Sequence, residues 1–158
     1  MLHIHRLSTR DAITTRSMTL RFEHRKRSRL RARLDDGTEV ALLLARGTVL
    51  RNGDKLAAED GSIVEVVAAD ETLSTVASDD PWLLARAAYH LGNRHVPLQI
   101  EEGRLRYEHD HVLDDLVRSL GLEVQVERGP FEPEGGSYAG GHRHHDHDHD
   151  HNDENGRS

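Results

Sequence analysis

Apolar residues alternate with polar ones through the first part of the chain and then switch to helical spacing. Met18-Thr19-Leu20-Arg21-Phe22 and Leu30-Arg31-Ala32-Arg33-Leu34 put an apolar side chain at every second position, which gives an extended chain one face to bury. Asp35-Asp36-Gly37 predicts a hairpin turn into Glu39-Val40-Ala41-Leu42-Leu43-Leu44. Arg51-Asn52-Gly53-Asp54 and Glu59-Asp60-Gly61 predict two more turns, the second leading into a strand over Ile63-Val64-Glu65-Val66-Val67. Short strands at this spacing predict a small all-β domain, sandwich or barrel, over residues 1–70.

Beyond Asp70 the period changes. Leu73 to Ala77 reads as a strand, Asp80 as a helix N-cap and Pro81 as the first helical residue, after which Leu83, Leu84, Ala87, Ala88 and Leu91 share one helical face. Gly92 and Asn93 accept positive φ most readily, so they predict the helix end, and Pro97 prevents a restart. His95 is thereby held on a short, stiff connection. Leu98 and Ile100 alternate in a strand, Glu102-Gly103 turns, and Leu105 and Tyr107 alternate in its hairpin partner. Val112, Leu113, Leu116, Val117 and Leu120 predict a second helix stopped by Gly121, and Leu122, Val124 and Val126 a last strand. The order β-α-β-β-α-β over residues 71–128 is that of the ferredoxin-like split unit. From Gly129 the run Gly-Pro-Phe-Glu-Pro-Glu-Gly-Gly-Ser opens a polar stretch, 129–158, whose composition predicts disorder in the absence of metal. The expected class is α+β: a small all-β N-terminal domain, a ferredoxin-like βαββαβ domain and a disordered His-rich tail.

Composition narrows the chemistry. With 158 residues, 35% hydrophobic and only 4% aromatic, each core is small and built on Leu, Val, Ile and Ala, and burial in a homodimer would help it. There is no cysteine, which excludes disulfides, thiolate zinc sites and cysteine nucleophiles and leaves imidazole and carboxylate as metal ligands, a set that suits Ni(II), Cu(II) and Zn(II). No apolar run approaches membrane-spanning length and Met1-Leu2-His3-Ile4-His5-Arg6 is no signal-peptide core, so a cytoplasmic protein is expected. A net charge of −7 argues against general nucleic-acid binding.

The strongest chemical signal is His142-Arg143-His144-His145-Asp146-His147-Asp148-His149-Asp150-His151, six imidazoles and three carboxylates in ten residues. Such a tract binds divalent transition metals. An expression tag would be an unbroken His run, whereas this one is interleaved with Asp and continues through Asn152-Asp153-Glu154-Asn155. His95 by spacing alone is more often a hydrogen-bonded structural residue than a ligand. His109 and His111, two apart, face one way only in an extended chain and otherwise begin the second helix with Asp110 as its cap. His90 reads as structural, near a helix C-terminus, and His3, His5 and His24 as surface residues. Within Arg25-Lys26-Arg27-Ser28-Arg29-Leu30-Arg31-Ala32-Arg33, an extended chain puts Arg27, Arg29, Arg31 and Arg33 on one face, either as a solvated strand face or to dock an acidic protein partner. No paired catalytic carboxylates, Ser/His/Asp spacing or Walker loop is present, which favours carrying metal over catalysis with it.

Gly92-Asn93-Arg94-His95-Val96-Pro97-Leu98-Gln99, preceded by Tyr89-His90-Leu91 and followed by Gly129-Pro130-Phe131-Glu132-Pro133-Glu134-Gly135-Gly136, resembles the UreE family, the nickel metallochaperones of urease maturation. The resemblance implies a β-rich N-terminal domain for protein contacts and a ferredoxin-like C-terminal domain for metal. It also implies a homodimer in which the motif histidine, here His95, meets its twin. Further ligands in the family come from a downstream His-x-His and from tail histidines, which match His109, His111, His142, His144, His145, His147, His149 and His151. The implied function is delivery of Ni(II) to urease apoprotein, together with urease accessory proteins that include the accessory GTPase. The alternative is a cytoplasmic Ni(II)/Zn(II) buffer or store without specific hand-off. Zn(II) or Cu(II) would compete for such ligands in vitro.

Overall fold

A computed structural model describes residues 1–135. His142, His144, His145, His147, His149 and His151 lie outside the described residues.

The first 68 residues form one six-stranded sheet. Its strands are β1 (Leu2–Leu7), β2 (Arg16–Leu20), β3 (Arg29–Arg33), β4 (Glu39–Leu43), β5 (Lys55–Ala58) and β6 (Ile63–Ala68), with a single helical turn, α1 (Phe22–Arg25), between β2 and β3. The order is β2-β6-β5-β1-β4-β3. Two pairings are parallel, β1 with β4 and β2 with β6. The expected strand through Phe22 stops at Leu20 instead, because Phe22 turns into α1, where its N–H donates to Glu71 at 3.0 Å and its ring enters the domain junction. Strands β1 and β5 were not anticipated. The first alternates buried Ile4 with His3 and His5 and lies in the middle of the sheet.

Asp35, in the turn after β3, brings the two sheet edges together. Its N–H donates to the Ser17 carbonyl at 2.9 Å, and its carboxylate accepts from Ser17 Oγ at 2.6 Å and from the Thr19 N–H at 3.1 Å. The sheet therefore curls on itself around Ile4, Met18, Leu42, Leu50, Leu56 and Val64, all fully buried.

Ala69 alone separates β6 from β7 (Asp70–Ala77), which begins three residues earlier than its apolar pattern suggested. Then come α2 (Pro81–Asn93), β8 (Gln99–Glu101), β9 (Arg104–Glu108), α3 (His111–Ser119) and β10 (Gln125–Pro130). The second sheet has the order β10-β7-β9-β8 with every pairing antiparallel. Leu84, Ala87 and Leu91 of α2 and Val117 of α3 share a core with Val76, Leu105 and Tyr107 of the strands. No described helix is long and apolar enough to cross a membrane.

The last strand departs from expectation. It runs on to Pro130, so Gly129 and Pro130, expected to open the tail, pair with Glu71 and Asp70. Phe131 beyond them is fully buried, edge-on to Phe22 with ring centroids 5.7 Å apart. The reason is Arg25. Although it sits in the basic run, Arg25 is fully buried, and its guanidinium donates to the Leu20 and Leu50 carbonyls at 3.2 Å and to the Phe131 carbonyl and Glu132 carboxylate. A buried guanidinium needs acceptors for its five donors, and the segment after β10 supplies those that its own domain lacks.

Candidate metal centre

Helix α2 starts as its sequence dictates: the Asp80 side chain accepts from the N–H groups of Trp82 at 2.9 Å and Leu83 at 3.4 Å, with Pro81 in the first turn. Its end differs. Gly92 and Asn93 remain helical, Arg94 is the cap, the His95 N–H donates to the Gly92 carbonyl at 3.0 Å, and the Val96 N–H reaches back to Leu91 at 3.3 Å. These paired bonds close a Schellman end, which requires left-handed backbone at the residue after the cap. That residue is His95, φ 57°, the only non-glycine with positive φ among the described residues. Val96 packs into the core that holds Leu91, which completes the motif. An L side chain in this conformation costs about 1–2 kcal/mol. Glycine would avoid the cost, so the imidazole is held there against backbone preference.

The His95 side chain is exposed and lines a cavity of about 430 Å³ between the two sheets, with Phe22, Val49, Val96, Leu98 and Ile100 as its apolar wall and Lys26, Arg51 and Glu134 as charged members. On α2 itself Trp82 and Tyr89, seven residues apart and so on one face, are 64% and 66% exposed, and Ile100 on β8 is 49% exposed. The element that carries His95 thus presents an uncovered apolar surface. His90 stacks edge-on with Tyr89 at 5.3 Å between centroids.

His109 and His111 do come together, with ring centroids 5.1 Å apart. Asp110 caps α3, accepting from the Val112 N–H at 2.8 Å and the Leu113 N–H at 3.1 Å, so His111 is the first helical residue and is exposed. His109 is anchored. Its Nδ1 lies 3.0 Å from Asp114 Oδ2 and 3.1 Å from Ser74 Oγ. Asp114 is buried and also accepts from Ser74 Oγ at 2.6 Å and Tyr107 OH at 2.7 Å. Burial first, and then the Asp114 carboxylate, push the Tyr107 hydroxyl well above the usual phenol range, so it stays a donor. Since the Ser74 hydroxyl hydrogen is spent on Asp114, both neighbours of His109 Nδ1 are acceptors there and place the proton on Nδ1. Nε2 then keeps its lone pair for a metal, the arrangement that orients ligating imidazoles. Sequence reading passed over Asp114, Ser74 and Tyr107. The available signal was an acid beside Leu113 and Val117 on the apolar stripe of α3.

β8 enters the sheet opposite Arg106, so the His95 connection and the end of β9 that carries His109 lie at the same end of the sheet. They line different recesses. His109 shares one with Glu23, Glu71, Glu108, Arg21 and Arg128. Burial first, and then the Glu71 and Glu23 carboxylates, raise the Glu108 carboxyl above the usual range. Among the described residues no three His, Asp or Glu side chains converge as a ready-made metal site. His3 and His5 lie on β1, in the other sheet, with His3 Nδ1 3.4 Å from Glu59.

Of the arginine row, Arg29, Arg31 and Arg33 are exposed along β3, an edge strand. Arg27 precedes the strand and drops out of the row, its guanidinium 3.9 Å from Glu23.

Two family models cover nearly the whole chain: the N-terminal domain of UreE urease accessory protein over residues 2–69 and its C-terminal domain over residues 71–155. The chain is 61% identical over 124 residues to the urease accessory protein UreE of Alkalilimnicola ehrlichii, covering 78% of this chain and 76% of that one. It is 59% identical over 134 residues to the protein of that name from Pseudomonas putida strain W619 (84% and 83%) and 51% identical over 148 residues to that from Citrobacter koseri (91% and 97%). The chain belongs to the UreE family of urease accessory proteins.

Proposed function

We propose that this protein is a nickel metallochaperone, a carrier and not an enzyme, that binds Ni(II) as cargo in the cytoplasm and delivers it to the urease apoprotein with the other accessory proteins, the accessory GTPase included. The observation that carries the reading is His95: an exposed imidazole kept at a backbone position that favours glycine, on a helix whose aromatic face is uncovered. One imidazole is a poor site, but a two-fold axis at that face doubles it into a shared one. The exposed Trp82, Tyr89 and Ile100 supply apolar area for such a homodimer. The second unit, with its four-stranded antiparallel sheet, is on this reading a ferredoxin-like metal-binding and dimerisation domain. His109, with His111 beside it, offers a pre-oriented second donor, and the tail histidines 142–151 add exchangeable ones. With no thiolate in the set, the ion stays releasable. Arg29, Arg31 and Arg33 fit an acidic partner surface.

The test compares the full chain, a chain lacking residues 142–151 and a His95→Ala variant by calorimetric Ni(II) titration and by activation of urease apoprotein. A carrier retains its tightest step and its activation without the tail, and loses both with His95→Ala. If tail deletion instead abolishes tight binding while His95→Ala leaves it intact, the protein is a buffer and His95 has no part in the mechanism.

A further inference from the structure

The connection that carries His95 is fixed at two ends. At the first, the amides of His95 and Val96 close onto the Gly92 and Leu91 carbonyls. At the second, the chain passes through Leu98 into β8, which has only three residues and a single neighbouring strand, β9. A strand that short, paired on one side, opens readily by itself, and with it the end of the connection would loosen.

A second hold comes from the chain beyond β10. The Glu134 N–H donates to the Leu98 carbonyl at 2.8 Å, and the Glu132 N–H donates to Gln99 Oε1 at 2.9 Å. The Gln99 amide is itself fixed, because its Nε2 donates to Glu101 Oε1 at 2.9 Å and Arg104 donates to the other oxygen of that carboxylate. Phe131 to Glu134 thus form a strap bonded to the start of β8. Its anchors lie in the first domain: Arg25 reaches the Phe131 carbonyl and the Glu132 carboxylate, Arg51 Nη1 donates to the Pro133 carbonyl at 2.7 Å, and the Asn52 N–H to Glu132 Oε1 at 3.4 Å. Phe131 and Pro133 are buried between these bonds, so the strap is held by packing as well.

We propose that this strap is the second clamp on the His95 connection and that Gln99 is a positioning residue for the metal site, its side-chain amide passing the position of the strap to the chain that follows His95. The inference rests on the reading of His95 as a Ni(II) ligand. An exposed imidazole that shares one ion with its twin binds more tightly when its backbone is already in place, because binding then need not order the connection. Neither Gln99 nor the strap touches the ion. They act on it as the hydrogen-bonded partners of a ligating side chain do, but through the backbone on either side of His95. Arg25, Arg51 and Asn52 thereby link the first domain to the geometry of a ligand carried by the second.

Two variants of the full chain test it. Gln99→Ala removes the acceptor of the Glu132 N–H. The double variant Gln99→Glu with Glu101→Gln exchanges the two groups and keeps every bond: the new carboxylate accepts from the Glu132 N–H and from the new amide, whose oxygen still accepts from Arg104. In the metal-free protein, the His95 and Val96 amides of Gln99→Ala should exchange about tenfold faster than in the parent, while Ala87 and Ala88 in the middle of α2 keep their rates. Calorimetric titration should show the tightest Ni(II) step weakened about tenfold with the number of bound ions unchanged. The double variant should restore both. Unchanged exchange at His95 and Val96, faster exchange throughout α2, an unweakened tight step or failure of the double variant to restore it each overturns the proposal. His95→Ala, titrated beside them, judges the underlying reading separately: a tight step retained there removes His95 as a ligand, whereas the exchange rates report the clamp without any metal.

Discussion

The Val96 amide donates to the Leu91 carbonyl at 3.3 Å, and this bond across the end of α2 is what leaves His95 at φ 57°. His95→Gly removes the steric cost of that conformation, so it should stabilise the fold by about 1 kcal/mol while abolishing the tight Ni(II) step. His95→Ala should abolish the same step with no such gain. Chemical denaturation of both variants beside the parent checks this, and a destabilised His95→Gly would show that the imidazole is held for packing.

Asp114 serves three donors, Ser74 on β7, Tyr107 on β9 and His109 in the connection just beyond it. Asp114→Asn puts a donor where an acceptor is needed and should cost about 1–3 kcal/mol. It also frees the His109 ring, so Ni(II) steps that depend on His109 should weaken by about 10-fold to 100-fold, while the step lost in His95→Ala is kept. Titration of Asp114→Asn in the tail-deleted background isolates the effect; unchanged binding there would assign His109 a structural role alone.

The Arg25–Glu132 contact joins the two sheets at their junction. Glu132→Gln keeps the side-chain shape and removes the charge, and should lower stability by about 1.5–3 kcal/mol. Scanning calorimetry should show the loss of a single cooperative transition as each half begins to unfold by itself. A variant with the parent's melting profile would mean that Phe131 packing alone holds the junction.

Glu108 keeps its proton to higher pH when folded than when unfolded, because burial and the neighbouring Glu71 and Glu23 disfavour its charge. Its protonation therefore stabilises the fold. That contribution is complete below the ordinary glutamate value near 4.5 and disappears as pH rises through the folded value. Glu108→Gln should accordingly raise the melting temperature at pH 7.5 and leave it nearly unchanged at pH 4. Equal shifts at the two pH values would exclude the electrostatic origin.

What the chain determined by itself is local. The caps at Asp80 and Asp110, the apolar face of α2, the Asp35-Asp36-Gly37 turn and the order of elements after Asp70 depend on residues within a few positions of one another, and each is present as its spacing dictates. The exposed row of Arg29, Arg31 and Arg33 was legible for the same reason. What only tertiary structure decided depends on distant partners. β1 became a central strand because β4 and β5 close on both its sides, and Phe22 left β2 because Phe131 and Glu71 receive it. Gly129 to Glu132 were drawn out of the expected tail because the buried Arg25 guanidinium needs acceptors. The candidate site follows the same division: spacing alone left His95 and His109 open to a structural reading and the family resemblance singled them out, while the left-handed backbone of the first arises from the Val96–Leu91 closure. The orientation of the second arises from Asp114, a carboxylate whose burial is possible only where three hydrogen-bond donors, from β7 and from the end of β9, converge.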